Sequence, residues 1–173
     1  MIDTTDGMKD YIEPLKKTMN EVLNKISELF DGSKIRTEVA VVSFKDHKVK
    51  EVIKTLKFTD DRQKAEEFIT NLKVDGGGDI PEAVMWGLAN SLDNKIGWRE
   101  DELFPVSKFL ILIGDAPPHG SEYYDLADDY KEGCPEGSTL NEIACMIQDM
   151  GIIFLMIQVG KKPEITDKMR EIF

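Results

Sequence analysis

The sequence predicts a doubly wound α/β fold, a mostly parallel sheet with one antiparallel edge strand and helices on both faces. Three observations predict it. Stretches of β-type apolar residues alternate with stretches of helical periodicity, in the order β-α-β-β-α-α-β-α-β-α. Two of the strand stretches, from Lys108 to Ile113 and from Ile152 to Val159, are nearly continuous in apolar residues, as central parallel strands are. Finally, Asp3, Asp79 and Asp115 each fall where the chain leaves a strand or enters a helix. In doubly wound sheets those positions gather at the carboxyl ends of the strands, near the point where strand order reverses.

Met1-Ile2-Asp3 reads as the last residues of a first strand, so the chain is expected to be a fragment with a truncated start. Met8, Tyr11, Ile12, Leu15, Met19, Val22, Leu23, Ile26 and Leu29 then recur at helical spacing. Pro14 interrupts the early ladder, which places the firm helix start near it, and Asp31-Gly32-Ser33 supplies a stop. The segment from Glu38 to Phe44 reads as a buried strand, and the one from Val52 to Phe58 as an alternating one. The polar run from Lys45 to Lys48 joins them as a hairpin, with the second strand at the sheet edge. Asp60 or Asp61 caps a helix carrying Ala65, Phe68, Ile69 and Leu72. After Gly76-Gly77-Gly78, a helix is expected from Pro81, with Val84, Leu88 and Leu92 on one side. Lys108 to Ile113 is expected to have both faces covered. A polar loop from Ala116 to Ser138 precedes a helix that Thr139 and Glu142 open as a capping box. Gly151 ends that helix, the second apolar strand follows, and a last helix runs from about Pro163 to Phe173.

A length of 173 residues suits one domain, able to bury roughly 70% of the surface of its unfolded chain. Hydrophobic residues at 41% and charged residues at 32% make an ordinary soluble mix. The net charge of -11 argues against a nucleic-acid partner, which needs a concentrated basic face. Lys16-Lys17 and Lys161-Lys162 are isolated pairs and form no such face. No run is long and apolar enough to span a bilayer, and no signal-peptide pattern is present. Cys134 and Cys145 form no CxxC pair and are too few for a disulfide scaffold, so a reducing, cytoplasmic setting is expected, one bridge remaining open.

Oxygen ligands delivered by several loops are what a hard divalent cation takes. The string Asp3-Thr4-Thr5-Asp6-Gly7, the string from Gly76 to Glu82 and the string from Asp115 to Gly120 are three such loops. With these residues in place, the chain resembles the von Willebrand factor type A domain over nearly all of its length. That family carries a metal-ion-dependent adhesion site on a DxSxS or DxTxS loop, a Thr or Asp in a glycine-rich loop, and an Asp after the fourth strand. Asp3, Thr5, Asp79 and Asp115 match it, which implies Mg²⁺ there, with Mn²⁺ or Ca²⁺ as substitutes. The strings around Asp79 and Asp115, and the loop from Asp128 to Pro135, look most like the branch found with atypical alpha-type protein kinases. The resemblance implies a three-layer Rossmann-like sandwich and a noncatalytic module that binds a protein partner, with fusion to or association with an alpha-type kinase.

The chain departs from the family pattern twice. Gly7 replaces the last hydroxyl of the first loop, leaving a position that a water fills, since Mg²⁺ keeps several. Asp79 replaces a neutral threonine, and three carboxylates around one divalent ion sum to about minus one. Metal binding is therefore expected to survive better than capture of an acidic partner residue. Asp79 also suits a helix N-cap, so cap alone and cap plus ligand both stand. Asp115 directly after a buried strand favours a ligand, because a carboxylate there needs a partner. Asp6 reads as a surface or helix-start residue sooner than as a fourth ligand.

The triple glycine lacks the Lys-Ser/Thr of a P-loop and reads as a loop that lets backbone approach the site. His119 in its Pro-rich turn reads as an ordinary loop residue sooner than as a ligand or base, and Trp86 as a packing one. Trp98, between Gly97 and Arg99, is not placed by its neighbours, and an exposed position stays open. No nucleophile with an evident base partner is present. Two alternatives remain. One is a metal-dependent phosphotransferase of the haloacid-dehalogenase kind, with Asp3 attacking phosphate, although Thr5 stands where its general acid belongs and the hairpin is foreign to it. The other is a structural scaffold whose metal site decayed through Gly7.

Overall fold

The expected element order is observed in a computed structural model, which describes residues 1–173 apart from 101–104, 125 and 161. Lys161 of the second lysine pair thus lies outside the described residues. The elements are β1 (Ile2–Asp3), α1 (Ile12–Phe30), β2 (Val39–Phe44), β3 (Ile53–Thr59), α2 (Arg62–Thr70), α3 (Val84–Leu92), β4 (Lys108–Gly114), α4 (Leu140–Asp149), β5 (Ile152–Gln158) and α5 (Pro163–Ile172). The strands form one sheet in the order β3-β2-β1-β4-β5. β3 pairs antiparallel with β2 at one edge, and the other pairings are parallel. This is the mixed α/β sheet with one antiparallel edge that the sequence predicts.

Successive side chains of a strand face opposite sides, so each strand feeds two cores. Val42, Phe44, Leu110, Leu112 and Ile152 pack beneath α3 and α4 with Val84, Met85, Leu88 and Ile143. Ile2 and Val41 face the other way and meet Ile12 of α1 with Ile69 and Leu72, flanked by Leu15, Met19 and Leu23. Trp98 belongs to the first core, its indole Nε1 donating to Ser91 O at 2.7 Å and its ring edge-on to Phe58. Thr139 and Glu142 form the reciprocal capping box at the start of α4. Asp61, of the two candidate residues, caps α2 by accepting from Lys64 N.

Three expectations are corrected. α1 begins at Ile12, two residues before Pro14, because a proline in the first turn has no intrahelical acceptor to lose. α3 begins at Val84 and not near Pro81, with Ala83 at the N-cap and no side-chain cap. The preceding backbone is already committed elsewhere: Glu82 N donates to Pro117 O at 3.0 Å and Ala83 N to Lys45 O at 3.2 Å. Finally, β4 is not covered on both faces. Phe109 and Ile111 are exposed, as are Ile153, Leu155 and Ile157 of β5. The second core, with α1 and α2, lies over β1 and β2, leaving this part of that sheet face bare.

Candidate metal centre

β1 and β4 are neighbours, Ile2 opposite Ile113, so both strands deliver their terminal aspartates to one edge of the sheet. Asp3 is fully buried. Its Oδ1 accepts from Thr5 N at 2.8 Å and from Thr5 Oγ1 at 2.7 Å. The hydroxyl proton of Thr5 is thereby used, and its lone pairs are left to act as ligands or acceptors. Oδ2 of Asp3 has no hydrogen-bond partner. Burial, and then the negative charge of Asp115, push the Asp3 carboxyl up to about 7 against the donations from Thr5. Burial also raises Asp115, opposed by a hydrogen bond with the Asp3 carboxyl, by its own backbone N–H and last by the charge of Lys162.

Gly7 closes the first loop against Asp115. A Cβ on Gly7 would lie 2.9 Å from Asp115 Oδ1 and nearer still to Oδ2. The room that a serine would occupy is filled by the Asp115 carboxylate. The glycine-rich loop docks on the same turn, with Asp6 N donating to Gly76 O at 2.9 Å and Asp75 N to Thr4 O at 3.2 Å. Gly77 has φ +102, and a Cβ there would lie 3.1 Å from Glu82 Oε1. Only glycine combines that backbone with that approach.

The structure brings Asp3, Thr5 and Asp115 together, whereas Asp79 is engaged elsewhere. Asp79 Oδ1 lies 3.2 Å from Lys48 Nζ, and its Oδ2 accepts from Asp129 N at 2.8 Å. Lys48 pairs with Asp129 as well. Asp79 is not the cap of α3, whose N-cap is Ala83, because the hairpin lysine and the long loop hold its carboxylate.

Sequence reasoning missed Glu82. It is buried, one carboxyl oxygen has no partner, and its environment includes Thr5. Burial, followed by the charges of Asp3, Asp46 and Asp79, pushes its carboxyl up to about 10. A glutamate after proline reads as a first-turn helix residue, so the sequence carries no signal that it turns inward. His119 is a loop residue, as expected, but a buried one, with Nδ1 2.8 Å from Asp128 Oδ1 and Nε2 3.2 Å from Asp46 Oδ1. Asp128 further accepts from Gly120 N at 2.7 Å and Tyr130 N at 2.8 Å. Burial alone would raise Asp128, but these donors outweigh it and hold the carboxyl below its usual range. Ligand atoms of Asp79, His119 and Asp128 all lie within 4.8 Å of one another.

The arrangement fits a hard cation. Asp3 Oδ2 is a buried carboxylate oxygen without a donor, beside a second raised carboxyl and a hydroxyl oxygen. Carboxylate and hydroxyl oxygens are the donor set that Mg²⁺ takes.

A mostly parallel sheet that gathers acids at its switch point defines a class of α/β domain. Residues 1–125 match the von Willebrand factor A domain, and the chain belongs to that family. Over its whole length it is 26% identical to the alpha-protein kinase vwkA of Dictyostelium discoideum and spans 26% of that protein, about a quarter of it. It is similar to the solved structure of the conserved hypothetical protein BatB from Bacteroides thetaiotaomicron, at 15% identity and a TM-score of 0.48. That similarity covers 99% of this chain and 95% of the other.

Proposed function

We propose that residues 1–173 act as one noncatalytic von Willebrand A module that engages a protein partner at its strand-end surface. Asp3, Thr5 and Asp115 hold Mg²⁺ there, and Asp79 contributes if Lys48 releases it. The observation that carries this reading is the buried, partnerless Asp3 Oδ2 beside Asp115. The cation offers a partner a Lewis-acidic coordination position; the chain's own residues set its charge and access. Lys48 offsets Asp79, and a protonated Glu82 adds no charge. Mg²⁺ with Asp3 and Asp115 then sums to about zero, so an acidic partner residue is not repelled as three free carboxylates would repel it.

A noncatalytic role is supported by the serine hydroxyls: Ser43 Oγ faces Lys54 O at 3.5 Å and Ser121 Oγ donates to Lys131 O at 3.1 Å. Among the described residues no helix is long and apolar enough to cross a membrane. Cys134 and Cys145 are free thiols, which favours the cytoplasm as the setting. The kinase relative points to an alpha-type kinase, in the same polypeptide or as partner.

Thermal unfolding in a Mg²⁺ series tests the metal. At about a hundred times the dissociation constant the cation adds about 2.7 kcal/mol to the native state. The midpoint of the native chain should rise, and that of Asp115→Ala should not. Asp79→Ala should keep more of the response than Asp115→Ala does. A native midpoint indifferent to Mg²⁺, Mn²⁺ and Ca²⁺ would overturn the reading.

A further inference from the structure

Next to the carboxylate cluster lies a second group of ligands of different chemistry. His47 sits on the hairpin between β2 and β3, and Cys134 and Glu136 on the long loop after β4. His47 Nδ1 is 3.1 Å from Glu136 Oε2, and Cys134 Sγ is 3.3 Å from that same oxygen. The nitrogen, sulfur and oxygen all lie within 4.8 Å of one another. Tetrahedral zinc with bonds of about 2.0–2.3 Å sets neighbouring ligand atoms about 3.3–3.7 Å apart. The two separations from Glu136 Oε2, 3.1 and 3.3 Å, are close to that scale, and the third is under 4.8 Å.

A plain ion pair between His47 and Glu136 does not account for the ring. The His47 side chain is only 4% exposed, yet neither of its nitrogens has a hydrogen-bond partner. A buried imidazole with no partner is costly. Glu136 Oε2 is the shared neighbour, accepting from the Cys134 thiol and lying against His47 Nδ1, so without a metal one carboxylate oxygen serves both groups. The ring is also fixed in place. Trp86 stacks on it at 16° with centroids 5.6 Å apart, and Tyr130 meets it edge-on at 5.2 Å. On the other side, Gly137 N donates to Cys134 O at 2.8 Å, closing a turn that presents Cys134 and Glu136 together.

We propose that His47 Nδ1, Cys134 Sγ and Glu136 Oε2 form a zinc site that staples the long loop to the hairpin. Imidazole, thiolate and carboxylate together favour zinc over the hard cations that choose oxygen alone. Three protein ligands leave the fourth position to water. On binding, the Cys134 thiol gives its proton to solvent and the sulfur–zinc bond forms in its place. Glu136, with its side chain 32% exposed, is the route from solvent.

Cobalt reports on this directly, because a bound thiolate gives a charge-transfer absorption in the near ultraviolet. Titrating the metal-free chain with Co²⁺ should produce that band, and Zn²⁺ should bleach it. The band should vanish in Cys134→Ser and persist in Cys145→Ser. Asp115→Asn should also keep it, which separates this site from the Mg²⁺ site. Zn²⁺ affinity should fall more than about a hundredfold in Cys134→Ser, more than the loss of an outer-shell partner costs. In the native chain Zn²⁺ should protect Cys134 from alkylation, a readout that needs no variant. Absence of the band in the native chain, its survival in Cys134→Ser, or unprotected Cys134 at saturating Zn²⁺ would overturn the proposal.

Discussion

Gly7 shows how one missing side chain sets the shape of an acidic site. Any Cβ there meets the Asp115 carboxylate, so the glycine is a condition of the present geometry and not only a lost hydroxyl. Gly7→Ala should displace the Asp115 carboxylate, the end of a side chain. It should therefore cost the metal-free chain no more than about 1 kcal/mol by chemical denaturation, the low end of overpacking, while weakening its response to Mg²⁺. The two raised buried acids make a second residue-level prediction. Asp3 is held near 7 and Glu82 near 10 in the folded chain, above their ordinary values of 3.8 and 4.5. The folded state then binds more protons than the unfolded one between those limits, so stability falls as pH rises through that window. Without metal, the chain should be more stable at pH 5 than at pH 8. Saturating Mg²⁺, which needs Asp3 ionised, should shrink that difference. Denaturant midpoints at both pH values, with and without Mg²⁺, measure it.

At the scale of elements, the loop after β4 has no strand or helix among its described residues between Asp115 and Ser138, yet it is anchored. Asp128 collects Gly120 N, Tyr130 N and His119, and His119 passes the tie to Asp46 of the hairpin. Such a buried polar hub replaces the backbone ladder that regular structure would supply. Asp128→Ala leaves His119 and two backbone donors without their acceptor and should cost about 3–5 kcal/mol, the range for breaking one side of a buried pair. Hydrogen exchange should show the loss concentrated in this loop and the hairpin, with β4 and β5 protected until global unfolding.

Across the whole molecule the sheet is covered unevenly. α3 and α4 shield one face, while on the other Phe109, Ile111, Ile153, Leu155 and Ile157 remain exposed beside α1 and α2. Contiguous apolar surface of this kind binds hydrophobic dyes and promotes association. The native chain should bind an environment-sensitive apolar dye, and Ile153→Lys with Leu155→Lys should reduce that binding. Exposed positions tolerate such changes within about 0.5 kcal/mol, so the folding midpoint should barely move.

The order of elements along the chain, the antiparallel hairpin edge and the meeting of Asp3 with Asp115 were legible in the sequence. They follow from local periodicity and from the rule that parallel strands send their carboxyl ends to one edge. Thr5 was legible only through the resemblance of its loop to a DxTxS motif; its contact with Asp3, two residues away, is local. Other features depended on residues distant in sequence and were not. Lys48 takes up Asp79, Glu82 turns inward on Thr5, and His119 is enclosed by Asp46 and Asp128. The sequence by itself determined the elements, their order and the acidic edge, because each rests on period and polarity along the chain. Which carboxylates remain without partners, and which sheet face stays bare, only the tertiary structure decided, because both depend on what packs against them from afar.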